Sequence, residues 1–186
     1  MTSSIVGTRK SVYFRKCLIP LVAGIWFSLA VVPVVAAAES GPCSANSASR
    51  QLDFWLGEWT VTYPGSTTPS VSKVSLDLDK CLIVESWAGG NNHSGKNFFA
   101  YSADDQAWHG MFADNDGRVH TFEGKVAPGS AEFYGPSRSP EGQSILNRIK
   151  ILRVSAQKVE QTWDKSVDNG TTWTNVFKGE YSGKSQ

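Results

Sequence analysis

Hydrophobic and polar residues alternate along short stretches of this chain, and the first such stretch follows an aromatic segment. Trp59, Val61 and Tyr63 alternate with polar residues. This two-residue period is typical of a strand that buries one face. The apolar segment before it, residues 52–56, ends at Gly57. We interpret that segment as a short helical turn that plugs one end of a closed sheet.

Turn signals divide the rest of the chain into further short strands. Strands are predicted near residues 58–63, 71–78, 81–88, 96–102, 107–113, 118–125, 131–134, 144–154, 158–163 and 172–181. No window of a dozen residues after the first 38 has a convincing helical period. Short strands that each pair with the next one in sequence predict an all-β fold. We expect an antiparallel up-and-down β-barrel, lipocalin-like, of about ten strands.

The N-terminal region has the composition of a secretory signal peptide. Four basic residues precede an apolar run from Leu18 to Ala37, and the small residues 36–38 offer a cleavage site. The alternative is an uncleaved membrane anchor, since the run is nearly long enough to span a bilayer. Pro20 and Pro33 interrupt the run and favour cleavage.

The signal-peptide interpretation predicts how the chain is organised and where the protein is located. We expect a periplasmic or secreted protein with a signal peptide at 1–38, an extended lead at 39–50 and one barrel domain at 51–183. Cleavage would remove four of the 18 basic residues and none of the 17 acidic ones, which leaves a net charge of −3. A mildly acidic domain without a basic block is a poor candidate for binding nucleic acid or anionic membranes. We therefore expect neither partner after cleavage.

Two cysteines, Cys43 and Cys81, remain after the predicted cleavage. An even number of cysteines in an oxidising compartment favours a disulfide bond. The bond would join the N-terminal lead to the beginning of a strand. The alternative is a pair of free buried thiols.

The segment Ser166-x-Asp168-x-Gly170-x-Thr172-Trp173 predicts a hairpin turn. The serine and aspartate side chains would accept hydrogen bonds from turn amides, and the glycine would adopt a left-handed backbone. The motif also occurs repeatedly in sialidase-type propellers, but such a fold needs several copies. We interpret the single copy as structural.

Two polar residues interrupt apolar strand faces. Glu85 lies between Ile83 and Trp87, and Arg148 lies beside Ile149. If both side chains pointed into the barrel they would pair, because an isolated buried charge is costly. Such a pair would either anchor a ligand or close the barrel structurally. Gln161 on the last hairpin is open to the same two interpretations.

Two histidines flank the turn at 114–117, which carries a strong hairpin signal. With an even-length loop, His109 and His120 would share a face of the hairpin. A metal ion would need a third ligand, for which His93, Asp114 or Glu85 is available. The spacing is not a recognised metal motif, and we expect neither a metal site nor a cofactor.

Six tryptophans follow the predicted signal peptide. Aromatic faces bind flat apolar ligands or sugars, and they also fill the interior of a small barrel. The candidate ligand-binding residues are Glu85, Trp87, Tyr101, Trp108, His109, Arg148, Gln161 and Trp163.

Motifs spread along the chain together resemble a known family. They are Asp53-Phe54-Trp55-Leu56-Gly57-x-Trp59, Cys81 with Glu85-Ser86-Trp87, Trp108-His109, Arg148, Gln161-x-Trp163, the turn at 166–173 and Phe177-x-Gly179-x-Tyr181. This combination resembles exported bacterial proteins of unknown function that have a lipocalin-like, calycin-type barrel. The resemblance implies the fold and export, and it implies no reaction.

Four functions are compatible with these observations. The leading hypothesis is a barrel that binds a small apolar or aromatic molecule without turning it over. The second is a small isomerase or cyclase that uses Glu85 and His109 as acid and base, with Arg148 holding an anionic group. The third is a barrel that holds haem through a histidine. The fourth is a structural or interaction domain with a filled lumen.

Overall fold

A computed structural model describes residues 41–185. The predicted signal peptide lies outside the described residues. The described part contains ten strands: β1 (Gly57–Thr62), β2 (Ser70–Asp77), β3 (Leu82–Ala88), β4 (Ser94–Ser102), β5 (Ala107–Asp114), β6 (Val119–Ala127), β7 (Ser130–Arg138), β8 (Ser144–Ser155), β9 (Lys158–Ser166) and β10 (Thr174–Ser185). Each strand pairs antiparallel with its neighbours in sequence, and β1 also pairs with β10. The predicted all-β, closed up-and-down barrel is confirmed.

The alternation that predicted β1 is visible in its burial. Gly57, Trp59 and Val61 are buried, whereas the residues between them are exposed. Gly57 has a φ of 145°, a backbone conformation that favours glycine because it lacks a Cβ. This residue therefore turns the chain from the N-terminal segment into the barrel wall.

The two ends of the barrel differ. One end carries the N-terminal segment, and we call it the closed end. There Leu52 and Trp55 are completely buried, and Trp55 packs edge-on against Phe99 and Tyr181, with ring centroids 5.9 and 6.0 Å away. The opposite end carries the β1–β2, β3–β4, β5–β6, β7–β8 and β9–β10 connections, and we call it the open end.

The N-terminal lead is not extended where the structure describes it. A short helix spans Pro42–Ala45, and 3-10 turns span Ala48–Arg50 and Asp53–Trp55. The predicted disulfide bond between Cys43 and Cys81 is present and links this lead to the β2–β3 turn. None of the described helical segments is long and apolar enough to cross a membrane.

The turn between β9 and β10 has the predicted local structure. Ser166 Oγ accepts a hydrogen bond from the Gly170 amide at 2.8 Å, and Asp168 Oδ1 accepts one from the Thr172 amide at 2.8 Å. Gly170 has a φ of +88°. Hydrogen bonds from the Thr172 side chain and amide, followed by that from Ser166, lower the pKa of Asp168 to about 2. The motif therefore acts within its own turn.

Replacing Trp59 by alanine should destabilise the closed end. The Trp59 side chain is 2% exposed, and its Nε1 donates to the Trp55 carbonyl at 3.0 Å. Trp59→Ala should lower the free energy of unfolding by about 3–5 kcal/mol in urea titrations. Trp173→Ala is the control, because Trp173 is half-buried on the outer wall, and it should cost clearly less. Equal stabilities of Trp59→Ala and the parent would contradict the role of this residue as a plug.

Removing the disulfide bond should also lower stability. The bond joins residues 38 positions apart, and restricting a loop of that length in the unfolded chain contributes about 3–4 kcal/mol. Urea unfolding with and without reductant measures this difference. Peptide mapping without reductant should recover Cys43 joined to Cys81. Alkylation of both thiols in unreduced, exported protein would show that the bond does not form.

Candidate functional site

A cavity of about 520 Å³ lies in the open half of the barrel. Its walls come from several strands and from three of the open-end connections. The lining residues are Tyr63, Glu85, Trp87, His93, Asn97, Phe112, Asp114, Arg118, His120, Gln161, Trp163, Lys165, Val176, Phe177 and Tyr181. The cavity is therefore built mainly from inward-facing side chains.

A polar layer separates this cavity from the apolar core at the closed end. We define it as Ser72, Glu85, Asn97, Gln161 and Tyr181, all of which are buried. Ser72 Oγ donates to Glu85 Oε1 at 2.6 Å, and Asn97 Nδ2 donates to Oε2 at 2.7 Å. Among the described residues, no lysine, arginine or histidine forms an ion pair with Glu85. The carboxyl group is thus held by neutral partners.

These surroundings favour the protonated form of Glu85. Burial raises the pKa of this carboxyl group, while hydrogen bonds from Ser72, Asn97 and Tyr181 partly offset the effect. The Tyr181 hydroxyl contacts Glu85 Oε1 at 3.1 Å and also contacts Gln161 Oε1. Tyrosine has one proton to donate. If Tyr181 donates to Gln161, a protonated Glu85 satisfies the other contact by donating to the phenol oxygen.

Three rings form an aromatic wall, which we define as Phe112, His120 and Trp163. The His120 and Phe112 ring centroids lie 5.0 and 5.4 Å from that of Trp163, nearly perpendicular to it. Trp163 is oriented by its Nε1, which donates to Asn147 Oδ1 at 3.1 Å. Asn147 is itself buried and donates to the Gly135 carbonyl at 3.0 Å. The position of the indole ring is therefore well determined.

Burial and the nearby positive charge of Lys165 lower the pKa of His120. The imidazole is consequently neutral at neutral pH. Among residues 41–185, its buried Nδ1 has no hydrogen-bond partner, and neither do the buried Trp87 Nε1 and Asn97 Oδ1. All three atoms belong to residues that line the cavity.

An ionic cluster lies at the mouth of the cavity. Asp114 contacts His93 and Arg118 at 3.2 Å each, and Arg118 also contacts Asp116 at 2.8 Å. Burial raises the pKa of Asp114, but hydrogen bonds from Arg118 and His93 and from the Asp116 amide outweigh this effect and lower it. His93, Asp114 and Asp116 could together offer three ligand atoms to a metal ion. Since Arg118 already contacts both carboxylates, we assign no metal there.

Half of the residues proposed from the sequence line the cavity. Glu85, Trp87, Gln161 and Trp163 do so, whereas Tyr101 and Trp108 do not. Those two rings pack together near the closed end at 6.0 Å, and Trp108 Nε1 donates to Gln51 Oε1 at 3.4 Å. They face inwards as expected, but their position along the strands places them against the N-terminal plug.

His109 lies on the outer face of the barrel, and the prediction that it shares a face with His120 is wrong. Ala113 pairs with Val119, which leaves five residues between the last paired positions, so odd residues of β5 pair with odd residues of β6. His109 is opposite Glu123, whereas His120 is opposite Phe112. The His109 side chain contacts the exposed Asp105 at 2.8 Å.

Arg148 also lies on the outer wall, and it does not pair with Glu85. Its neighbours Asn147 and Ile149 occupy the inward positions of β8 and are buried. Arg148 contacts Asp164 at 2.9 Å and stacks on Trp173, with its guanidinium 4.0 Å from the ring centroid. The ionic partner of Arg148 is therefore Asp164, and not Glu85 as predicted from the sequence.

Several cavity residues were not identified from the sequence. His93, Asp114 and His120 were considered only as possible metal ligands or, for His120, as a surface residue. The residues that were not considered are Tyr63, Asn97, Phe112, Arg118, Lys165, Val176, Phe177 and Tyr181. The two-residue alternation along a strand could have identified some of them, because Lys165 lies on the same face of β9 as Gln161 and Trp163. The bulge between Asn175 and Phe177 removes that regularity in β10.

No protein-family model matches this sequence, and no curated protein is significantly similar to it. The fold and the cavity therefore carry the functional argument.

Replacing Glu85 by glutamine should change how stability depends on pH. The folded state retains a proton that the unfolded chain releases above the ordinary pKa of 4.5. The contribution of this group is therefore complete below that pH and is lost as the pH rises towards the folded pKa, by at most about 1.4 kcal/mol per pH unit. Glu85→Gln cannot ionise, so its stability relative to the parent should increase with pH.

Urea unfolding between about pH 5 and pH 8 measures this difference. Glu123→Gln is the control, because Glu123 is an exposed carboxylate on the outer face of β6. Its stability relative to the parent should not show the same increase. Parallel pH profiles for Glu85→Gln and the parent would show that Glu85 is ionised in the folded protein.

Proposed function

We propose that this protein binds a small aromatic or apolar molecule in the open half of its barrel, without turning it over. The cavity of about 520 Å³ carries this proposal. Ligand sites for small molecules typically enclose about 300–1,000 Å³ and combine apolar walls with a few polar groups. The aromatic wall supplies the first feature and the polar layer supplies the second.

The distribution of side chains favours a binding site over a filled lumen. Trp55, Phe99, Phe133 and Ile149 are completely buried in the closed half. By contrast, Trp87, Trp163 and Phe177 are only partly buried and border the cavity. Partly exposed rings on a concave surface offer contact area to a flat ligand at little entropic cost.

The geometry does not support the acid–base enzyme that combined Glu85, His109 and Arg148. Glu85 is inside the barrel, whereas His109 contacts Asp105 and Arg148 pairs with Asp164 on the outer wall. His120 is the histidine that lines the cavity. It contacts aromatic rings, and no hydrogen bond joins it to Glu85 among the described residues.

We also propose that the protein acts outside the cytoplasm, as its resemblance to an exported bacterial family implies. The composition of residues 1–38 supports export. The Cys43–Cys81 bond supports an oxidising compartment, because structural disulfides are rare in the cytosol. N-terminal sequencing of the protein from its own host tests cleavage near residue 38.

Binding of N-phenylnaphthylamine tests the cavity directly. This neutral aromatic probe becomes fluorescent in apolar surroundings, so a titration gives its dissociation constant. Trp163→Ala should weaken binding by about tenfold or more, because an aromatic contact contributes about 0.5–1.5 kcal/mol beyond its buried area. Trp173→Ala should leave binding unchanged, because Trp173 is on the outer wall beside Arg148.

Native mass spectrometry of protein purified from its own host is the complementary measurement. A bound small molecule that is lost from Trp163→Ala would support the proposal. Absence of probe binding to the parent, or equal binding by the two tryptophan variants, would contradict it.

A further inference from the structure

We propose that the ligand is an aromatic anion whose negative group contacts Lys165 at the mouth of the cavity. This inference rests on the proposed function and adds the charge of the ligand. It follows from the position of Lys165 in β9 and from the pairing of the other charged groups around the cavity.

The register of β9 places Lys165 on the inner face. Lys165 follows Gln161 and Trp163 at two-residue intervals, and all three residues line the cavity. Residues of β9 approach the open end as their numbers increase, since Ser166 ends the strand before the β9–β10 turn. Gln161 therefore lies at the floor, Trp163 on the wall and Lys165 near the mouth.

The other ionisable groups of the cavity are paired with one another or lie where burial favours their neutral form. Arg118 is paired with Asp114 and Asp116. Burial favours the neutral form of Glu85 and, together with Lys165, that of His120. In residues 41–185, no carboxylate lies within 4.0 Å of Lys165 Nζ. Among the described residues, Lys165 is therefore a positively charged lining residue without a carboxylate partner within that distance.

A half-buried lysine without a partner is well placed to bind an anion. Partial burial strengthens its attraction for a negative group, because the effective dielectric constant is lower than in water. The adjacent Trp163 and His120 rings would contact the aromatic body of the same molecule. An aromatic carboxylate or sulfonate satisfies both requirements.

A matched pair of probes tests this charge preference. Anilinonaphthalene sulfonate and N-phenylnaphthylamine share one aromatic skeleton, and only the former carries a negative charge. Both are titrated by fluorescence against the parent, Lys165→Gln and Lys96→Gln. Lys96 is the control, because it lies near the same end of the barrel on the exposed outer face of β4.

Lys165→Gln should weaken binding of the anionic probe by about tenfold, because the variant removes a charge-assisted hydrogen bond to the negative group. It should change binding of the neutral probe by less than about twofold. Lys96→Gln should leave both affinities unchanged. Trp163→Ala should weaken both probes, which would place them in the cavity.

The possible failures distinguish this inference from the proposed function. Equal losses for both probes in Lys165→Gln, or no loss for either, would overturn the role of Lys165 as an anion contact. Binding of the neutral probe alone would overturn the inference and leave the proposed function intact. Failure of both probes to bind the parent would overturn both.

Discussion

The pairing of β1 with β10 is the constraint on which the rest of this structure depends. It closes the sheet, so that each strand has an inner and an outer face and no strand remains as a free edge. Every inward side chain must then either fill the lumen or line a cavity. The closed end is filled by the N-terminal segment, in which Trp55 packs against Phe99 and Tyr181.

The polar layer is the boundary between the filled and hollow halves of the barrel. Tyr181 connects the apolar core to the polar layer, because its ring packs on Trp55 and Trp59 while its hydroxyl contacts Glu85. A buried carboxyl group with neutral partners is costly when ionised, so this arrangement favours its protonated form. The floor of the cavity is therefore uncharged, and the charges of the lining lie towards the open end.

The outer wall explains why Arg148 does not pair with Glu85. Arg148 is one residue away from the inward positions of β8, and it pairs with Asp164 beneath the Trp173 ring. Asp164 lies opposite Arg148 in the β8–β9 register. A one-residue change of register would have placed Arg148 in the lumen, because alternate residues of a strand face opposite sides.

The sequence by itself determined the barrel, the order of its strands and the disulfide, because alternation, turn residues and cysteine number are local signals. It also predicted four residues that line the cavity, because they are polar or aromatic positions within apolar strands. They are Glu85, Trp87, Gln161 and Trp163. Only the tertiary structure decided that His109 is outside and His120 inside, since this depends on the length of one connection. Depth along the barrel likewise separates Trp108 at the plug from Lys165 at the mouth. The alternation of residues determines on which face of a strand a side chain lies. The depth of that side chain along the barrel and its contacts with other strands arise only when all ten strands close.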